Sequence, residues 1–195
     1  ANIANEAIFV GMYGYYNGPE VNRVLFSFHQ MNNILGYTKN EDEINKIAKT
    51  SISISRRDEE IIQQINLPFK FIAFATGGEW NYRTYKKWDC VIEKLLSQDK
   101  DLNIILVGSD NAINSSRAIM DKFAGYNVSN YVTKFTFNQT AEIISKAQIL
   151  LCCDGGLMHS ANAVDTPIVA LFARLTKEMQ LTKSNSSFSI FDKDN

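Results

Sequence analysis

Three side chains in this sequence could handle an anionic ligand: Asp154, His159 and Lys86. Asp154 follows the apolar run Ile149-Leu150-Leu151-Cys152-Cys153 and precedes Gly155-Gly156. A carboxylate at such a corner can cap the next helix or accept hydrogen bonds from sugar or ribose hydroxyls, and one residue can do both. His159 falls in the first turns of that helix. There it is either a structural histidine or a donor to a diphosphate, a contact that protonation near its ordinary pKa of about 6.5 would strengthen. Lys86, next to Lys87, is by default a solvated surface charge. Its place after the loop Thr76-Gly77-Gly78-Glu79-Trp80-Asn81 suggests instead a point charge on a departing diphosphate, because that loop's N–H groups could also face an anion.

The elements that position these residues can be read from periodicity. Ile149 to Cys153 is long enough for a buried strand, and the glycines at 155 and 156 permit a sharp turn. Leu157, Ser160, Ala161 and Val164 then recur at helical spacing until Asp165-Thr166-Pro167, and Ile168 to Phe172 is a second buried strand. In this β-α-β unit the N–H groups of Gly155, Gly156, Leu157 and Met158 open a helix at the carboxyl end of a parallel strand, where open α/β sheets bind ligands and helix starts attract phosphate. Upstream, Phe71 to Ala75 reads as a strand leading into the Gly77 loop, Tyr85 to Ser97 as a helix, and Asn103 to Val107 as a strand ending at Gly108. A helix over 112–123, a strand over 130–133 and a helix over 139–146 capped by Asn138 follow, with a final strand at Phe188 to Phe191.

Alternation of strands and helices from residue 71 predicts an α/β domain, a Rossmann-like parallel sheet with helices on both faces. Residues 37–70 are polar and charged and read as a linker holding short helices that start near Asp42 and Asp58. Residues 1–36 hold a strand candidate over 7–12 and a helical stripe, Val24, Leu25, Phe28, Met31 and Leu35, closed by Gly36; they read as the end of a preceding domain. No G-x-G-x-x-G is present, which argues against an ordinary dinucleotide site.

Composition narrows the function further. At 195 residues, 45% hydrophobic and a formal net charge of −1, the chain can bury a sizeable core and shows no excess of basic charge for nucleic acid. Three cysteines without a CxxC and only two histidines argue against a structural zinc site, and no cofactor or metal is expected. Cys152 and Cys153 are neighbours in one strand, point to opposite faces and are poorly placed to bridge each other. With no apolar run of membrane-spanning length and no signal-peptide pattern at residue 1, the expected location is the cytoplasm.

Asp154-x-Gly156-x-Met158-His159, the small-residue helix after it, Pro167 and the apolar strand to Phe172 together resemble the signature of the ADP-heptose:lipopolysaccharide heptosyltransferases, glycosyltransferase family 9. Lys86-Lys87-Trp88 is similar to that family's Lys-x-Trp-Pro, Ile104 to Gly108 to its apolar strand ending in Gly, and Lys134-Phe135-Thr136-Phe137 to its Gly-Lys-Thr-Ser-Leu stretch. The ordered set covers residues 71–172.

The resemblance implies the donor-binding half of a GT-B enzyme, with a nucleotide-diphosphate sugar such as ADP-heptose as donor and the lipopolysaccharide core as acceptor, transfer with inversion, and a place at the cytoplasmic face of the inner membrane. It puts Thr76, Gly77, Lys86, Gly108, Asp154, Gly155, Gly156, Leu157, Met158 and His159 in the donor site. The family's base is an Asp near the start of the acceptor domain, outside this sequence, so no catalytic residue is assigned. Departures from the pattern occur at Gly77 and Gly155, where hydroxyl residues are usual, at Asp89 in place of Pro, at Ala173-Arg174 in place of Gly-Pro, and in extra residues between Thr76 and Lys86. These departures leave open a nucleotide- or glycan-binding module without catalysis, or another GT-B-like enzyme such as a sugar-nucleotide epimerase.

Overall fold

The computed structural model describes residues 22–36, 39–173, 175–181 and 187–191; the strand expected over 7–12 and Arg174 lie outside these residues. From residue 72, strands and helices alternate: β1 (Ile72–Ala75), α4 (Trp88–Gln98), β2 (Ile104–Val107), α5 (Ile113–Lys122), β3 (Val128–Asn130), α6 (Phe137–Ser145), β4 (Ile149–Cys153), α7 (Gly156–Ala163), β5 (Ile168–Phe172), α8 (Lys177–Gln180) and β6 (Ser187–Phe191). Three helices precede them, α1 (Arg23–Ile34), α2 (Glu41–Ile47) and α3 (Arg56–Gln63).

The strands form one six-stranded sheet in the order β3-β2-β1-β4-β5-β6, and every neighbouring pair is parallel. Helices cover both faces of the sheet, as its short, continuous apolar strands require. Alternate residues go to opposite sides: Ala73, Ile105, Leu150, Cys152 and Ile168 pack with Ile143 and Ile144 of α6, Met158 and Ala161 of α7 and Ile62 of α3. Phe74, Ile104, Leu106 and Cys153 pack with Trp88 and Ile92 of α4 and Ile119 of α5. The two adjacent cysteines thus enter different layers as free thiols.

Ala75 stands in register with Val107 of β2 and with Cys152 of β4, so the loops after these strands emerge along one edge. Chain direction reverses its path between β1 and β4. From β1 the chain crosses to β2 on one side, and from β4 it crosses to β5 on the other, which leaves a crevice where the carboxyl ends of β1 and β4 diverge.

Several local expectations change. The short helices expected in the linker stretch are α2 and α3, and Ile62 of α3 belongs to the sheet's core. Their caps lie two and three residues before Asp42 and Asp58: Asn40 forms a capping box with Glu43, and Ser55 accepts from the Asp58 amide. Thr136, and not Asn138, caps α6 through a capping box with Gln139, while Asn138 Nδ2 reaches back 3.1 Å to the Ser53 carbonyl. β3 ends at Asn130 because Asn130 Oδ1 accepts from the Val132 amide at 3.0 Å and turns the chain.

α4 begins at Trp88, three residues later than periodicity suggests, because the Tyr85 amide donates to Cys153 Sγ at 3.4 Å and holds residues 85–87 in the loop. Asp89, where the family's Pro would stand, sits in the helix's first turn and pairs with Lys122 of α5 at 2.9 Å. Among the described residues, no helix is long and apolar enough to cross a membrane.

Candidate functional site

The crevice opens into a cavity of about 560 Å³, a size that suits a small-molecule ligand. Its walls come from the ends of three strands and the loops between them: Ala75, Gly77, Gly78 and Glu79 after β1; Gly108 to Asn111 after β2; Cys153 to Leu157 after β4. Thr133, Phe135, Phe137 and Thr140 close the side toward α6.

Glycine matters at two of these corners. At Gly108, φ is +152°, and a Cβ there would stand 2.8 Å from Ala112 Cβ. A Cβ on Gly77 would run into the Asn111 side chain. The loop after β1 therefore packs at Gly77 directly against the Asn111 and Ala112 side chains of the loop after β2, and only glycine leaves room for that approach. Gly155 is different. It is extended (φ 175°), and a Cβ there would meet only the Cys153 carbonyl oxygen at 4.0 Å, so the Ser or Thr usual in the resembling family would fit.

Asp154 is the acidic centre of the site. It is 7% exposed, lines the cavity, and its amide bonds the Leu171 carbonyl at 3.1 Å, which fixes it to β5. It does not cap α7 through its side chain; Gly155 is the N-cap residue. Its carboxylate is met by Gln180 Nε2, 3.4 Å from each oxygen, and by Arg83 Nη1 at 3.7 Å. All three contacts are long for hydrogen bonds, so the carboxylate is oriented without being saturated.

The structure brings Gly77, Gly108, Asp154, Gly155, Gly156 and Leu157 together around the cavity. The other four expected residues fall elsewhere. Thr76 is buried beneath the loop with Oγ1 2.8 Å from Ser115 Oγ, because the strand's alternation sends it into the protein. Met158 is a core side chain, and its amide returns to the Gly155 carbonyl at 3.1 Å. The His159 amide does the same at 3.3 Å, so the α7 amides left at the cavity wall are those of Gly156 and Leu157. Lys86 is exposed and is not part of the wall; it follows the Tyr85 tie to Cys153 by one residue.

His159 is half-buried and off the wall. Burial pushes its pKa below the ordinary value; Asp154 pulls the other way and Arg23 adds to the lowering. It is therefore neutral at pH 7. A histidine depressed in the folded state takes up a proton more readily when unfolded, so stability is full above about pH 6.5 and is lost as pH falls below it. We expect the thermal midpoint of the unaltered chain to drop between pH 7.5 and pH 5.5 by more than that of His159→Gln; equal drops would show that His159 is not the titrating group.

Sequence reasoning did not find Arg83, Gln180 or Thr133. Thr133 is a β-branched residue at φ 62°, a strained conformation held by its amide bond to the Gly108 carbonyl at 2.9 Å, and it lines the cavity. Burial also raises the thiol pKa of Cys153, with Asp154 adding to it and the Tyr85 amide opposing, so the cavity's cysteine is an inert wall residue at neutral pH.

A parallel sheet of this order, with glycine-walled loops and an acidic corner at its switch point, has the fold of one half of a GT-B glycosyltransferase. The chain belongs to glycosyltransferase family 9 (heptosyltransferase), whose family model matches residues 15–188. Solved structures agree on the fold. The family 9 glycosyl transferase from Veillonella parvula has a TM-score of 0.72 at 12% identity over 92% of this chain and 51% of its own. E. coli heptosyltransferase WaaC with ADP has 0.63 at 16% identity over 89% and 51%, and E. coli ADP-heptose lps heptosyltransferase II 0.61 at 19% identity over 72% and 44%. The chain thus spans about half the length of these structures. No curated protein matches it significantly.

Proposed function

We propose that this chain is the donor-binding part of an inverting heptosyltransferase-like enzyme that takes a nucleotide-diphosphate sugar, ADP-heptose, and passes the heptose to a lipopolysaccharide core acceptor at the cytoplasmic face of the inner membrane. The observation that carries this reading is the cavity itself, set at the switch point and walled by the glycine loops after β1 and β2, the first amides of α7 and Asp154. The amides of Gly156 and Leu157 suit phosphate oxygens, and Asp154 suits the hydroxyls of a ribose or heptose. That a family relative was solved with ADP supports the choice of nucleotide.

In the transfer, the acceptor oxygen bonds to the anomeric carbon as its proton passes to a base contributed from outside these residues. The bond from that carbon to the diphosphate breaks, and its electron pair stays on the phosphate oxygen.

Titration calorimetry with ADP, ADP-heptose and a UDP-sugar tests the proposal. Binding of ADP and ADP-heptose with weaker or no binding of the UDP-sugar is expected; no heat with any of the three would contradict it. One observation favours a second reading, a nucleotide-binding module without transfer: among the described residues the wall carries Glu79, Asp110 and Asp154 but no lysine or arginine. Transfer of labelled heptose by the full-length protein would exclude that alternative.

A further inference from the structure

We propose that Arg83, which the sequence pattern passes over in favour of Lys86, is the residue that supplies positive charge to the leaving diphosphate. The inference rests on the donor-site reading above and identifies which cation serves that site.

The cavity poses an electrostatic problem. Three carboxylates, Glu79, Asp110 and Asp154, line it, and among the described residues no lysine or arginine does. A diphosphate entering such a wall would be repelled unless a cation came with it or stood close by. As the bond to the anomeric carbon breaks, negative charge on the diphosphate increases, so a cation placed there is worth more in the transition state than in the ground state.

Arg83 stands close by. Its Nη1 lies 3.7 Å from Asp154 Oδ2, and its side chain is largely but not fully covered, at 26% exposure. The loop that carries it is tied down at both ends. At one end Gly78, in the cavity wall, packs so tightly against the Arg83 carbonyl that an added Cβ would stand 2.8 Å from it. At the other, Tyr85 donates to Cys153 Sγ and stacks edge-on against buried Trp88, with ring centroids 5.2 Å apart.

Between the ties, residues 81–83 form a single 3-10 turn closed by the Arg83 amide on the Trp80 carbonyl at 2.9 Å and by Thr84 Oγ1 on the same oxygen at 2.9 Å. The turn therefore delivers the guanidinium to the carboxyl end of β4 by construction. Lys86 follows the second tie and remains exposed.

The contact to Asp154 is an ion pair too long for a good hydrogen bond, so the guanidinium has donors to spare. A planar fork of N–H groups suits two phosphate oxygens better than one carboxylate at that distance. When the donor binds, Arg83 turns from Asp154 to the diphosphate and leaves the carboxylate to the sugar or ribose hydroxyls. One residue thereby balances the acidic wall in the empty site and the anion in the filled one.

Calorimetric titration of the unaltered chain, Arg83→Met, Arg83→Lys and Lys86→Met with ADP and with adenosine tests this. Arg83→Met is expected to weaken ADP binding about tenfold to a hundredfold, the range of a lost charge-assisted hydrogen bond, while adenosine binding stays within about twofold. Arg83→Lys should recover part of the loss, and Lys86→Met should lose less than Arg83→Met. Equal losses for ADP and adenosine would make Arg83 a structural residue, and a larger loss in Lys86→Met would return the role to Lys86; either overturns the proposal. If the unaltered chain binds ADP and Arg83→Met binds it equally well, the Arg83 assignment alone falls. If the unaltered chain binds neither ligand, the donor-site reading falls with it.

Discussion

Gly108→Ala is expected to lower the stability of the chain by roughly 2 to 5 kcal/mol, the sum of a strained backbone conformation and an overpacked contact. Residue 108 has φ +152°, which an alanine rarely adopts, and the new methyl would lie 2.8 Å from Ala112 Cβ. Neither carbon can rotate away. Ala112 is fully buried at the end of the 3-10 turn Asp110–Ala112, and its amide is bonded to the Ser109 carbonyl at 2.9 Å. Relief would require the end of β2 to shift, which would also break the 2.9 Å bond from the Thr133 amide to the Gly108 carbonyl and release the strained Thr133 from the cavity wall. Urea denaturation would measure the effect; a change below about 0.5 kcal/mol, the range of an ordinary surface substitution, would show that the loop accommodates the methyl and that the close approach is not required.

Asp154→Asn is expected to cost about tenfold to a hundredfold in affinity for ADP-heptose, the worth of a charge-assisted hydrogen bond, with little loss of fold stability. The substitution keeps the shape of the side chain, and the Asp154 amide bond to Leu171 is untouched. It removes the charge that accepts from ligand hydroxyls and that pairs with Arg83 at 3.7 Å. Gln180 sharpens the expectation: its Oε1 is a buried atom without a hydrogen-bond partner, and its Nε2 faces both carboxylate oxygens at 3.4 Å. An asparagine amide turned toward that oxygen would find an acceptor, so the variant should fold well. Calorimetry and a thermal melt on the same sample separate the two effects; unchanged affinity would remove Asp154 from the donor site.

The fold was legible because its strands are short apolar runs flanked by glycine or polar residues. Ile149 to Cys153 is one such run, and its structure matches the expected bounds. The corner after it was legible for the same reason: Asp154, Gly155 and Gly156 are contiguous, and their placement depends on one strand and one helix. Lys86 and Arg83 show where such reading stops. Which of the two cations stands beside Asp154 depends on Gly78 packing against residues 83–84 and on Tyr85 meeting Cys153, 68 residues away in the chain. A linear pattern records neither contact.

Gln180 was hidden similarly. It sits in the four-residue helix α8, is 1% exposed and packs on an aspartate 26 positions earlier. Thr76 failed in the opposite direction. A hydroxyl beside a glycine loop looks available to a ligand, but the pleat of β1 turns it inward onto Ser115. At the helix caps, Asn138 and Thr136 are both good candidates by residue type, and only the glutamine three residues after Thr136 completes a capping box.

The central claim is that the cavity at the ends of β1, β2 and β4 holds the diphosphate of a nucleotide sugar. A crystal structure of the chain soaked with ADP tests it most directly. The account predicts diphosphate density against the amides of Gly156 and Leu157, within hydrogen-bonding distance of Arg83, with the nucleoside extending toward Phe135 and Phe137. Density for ADP bound away from this edge of the sheet would contradict it.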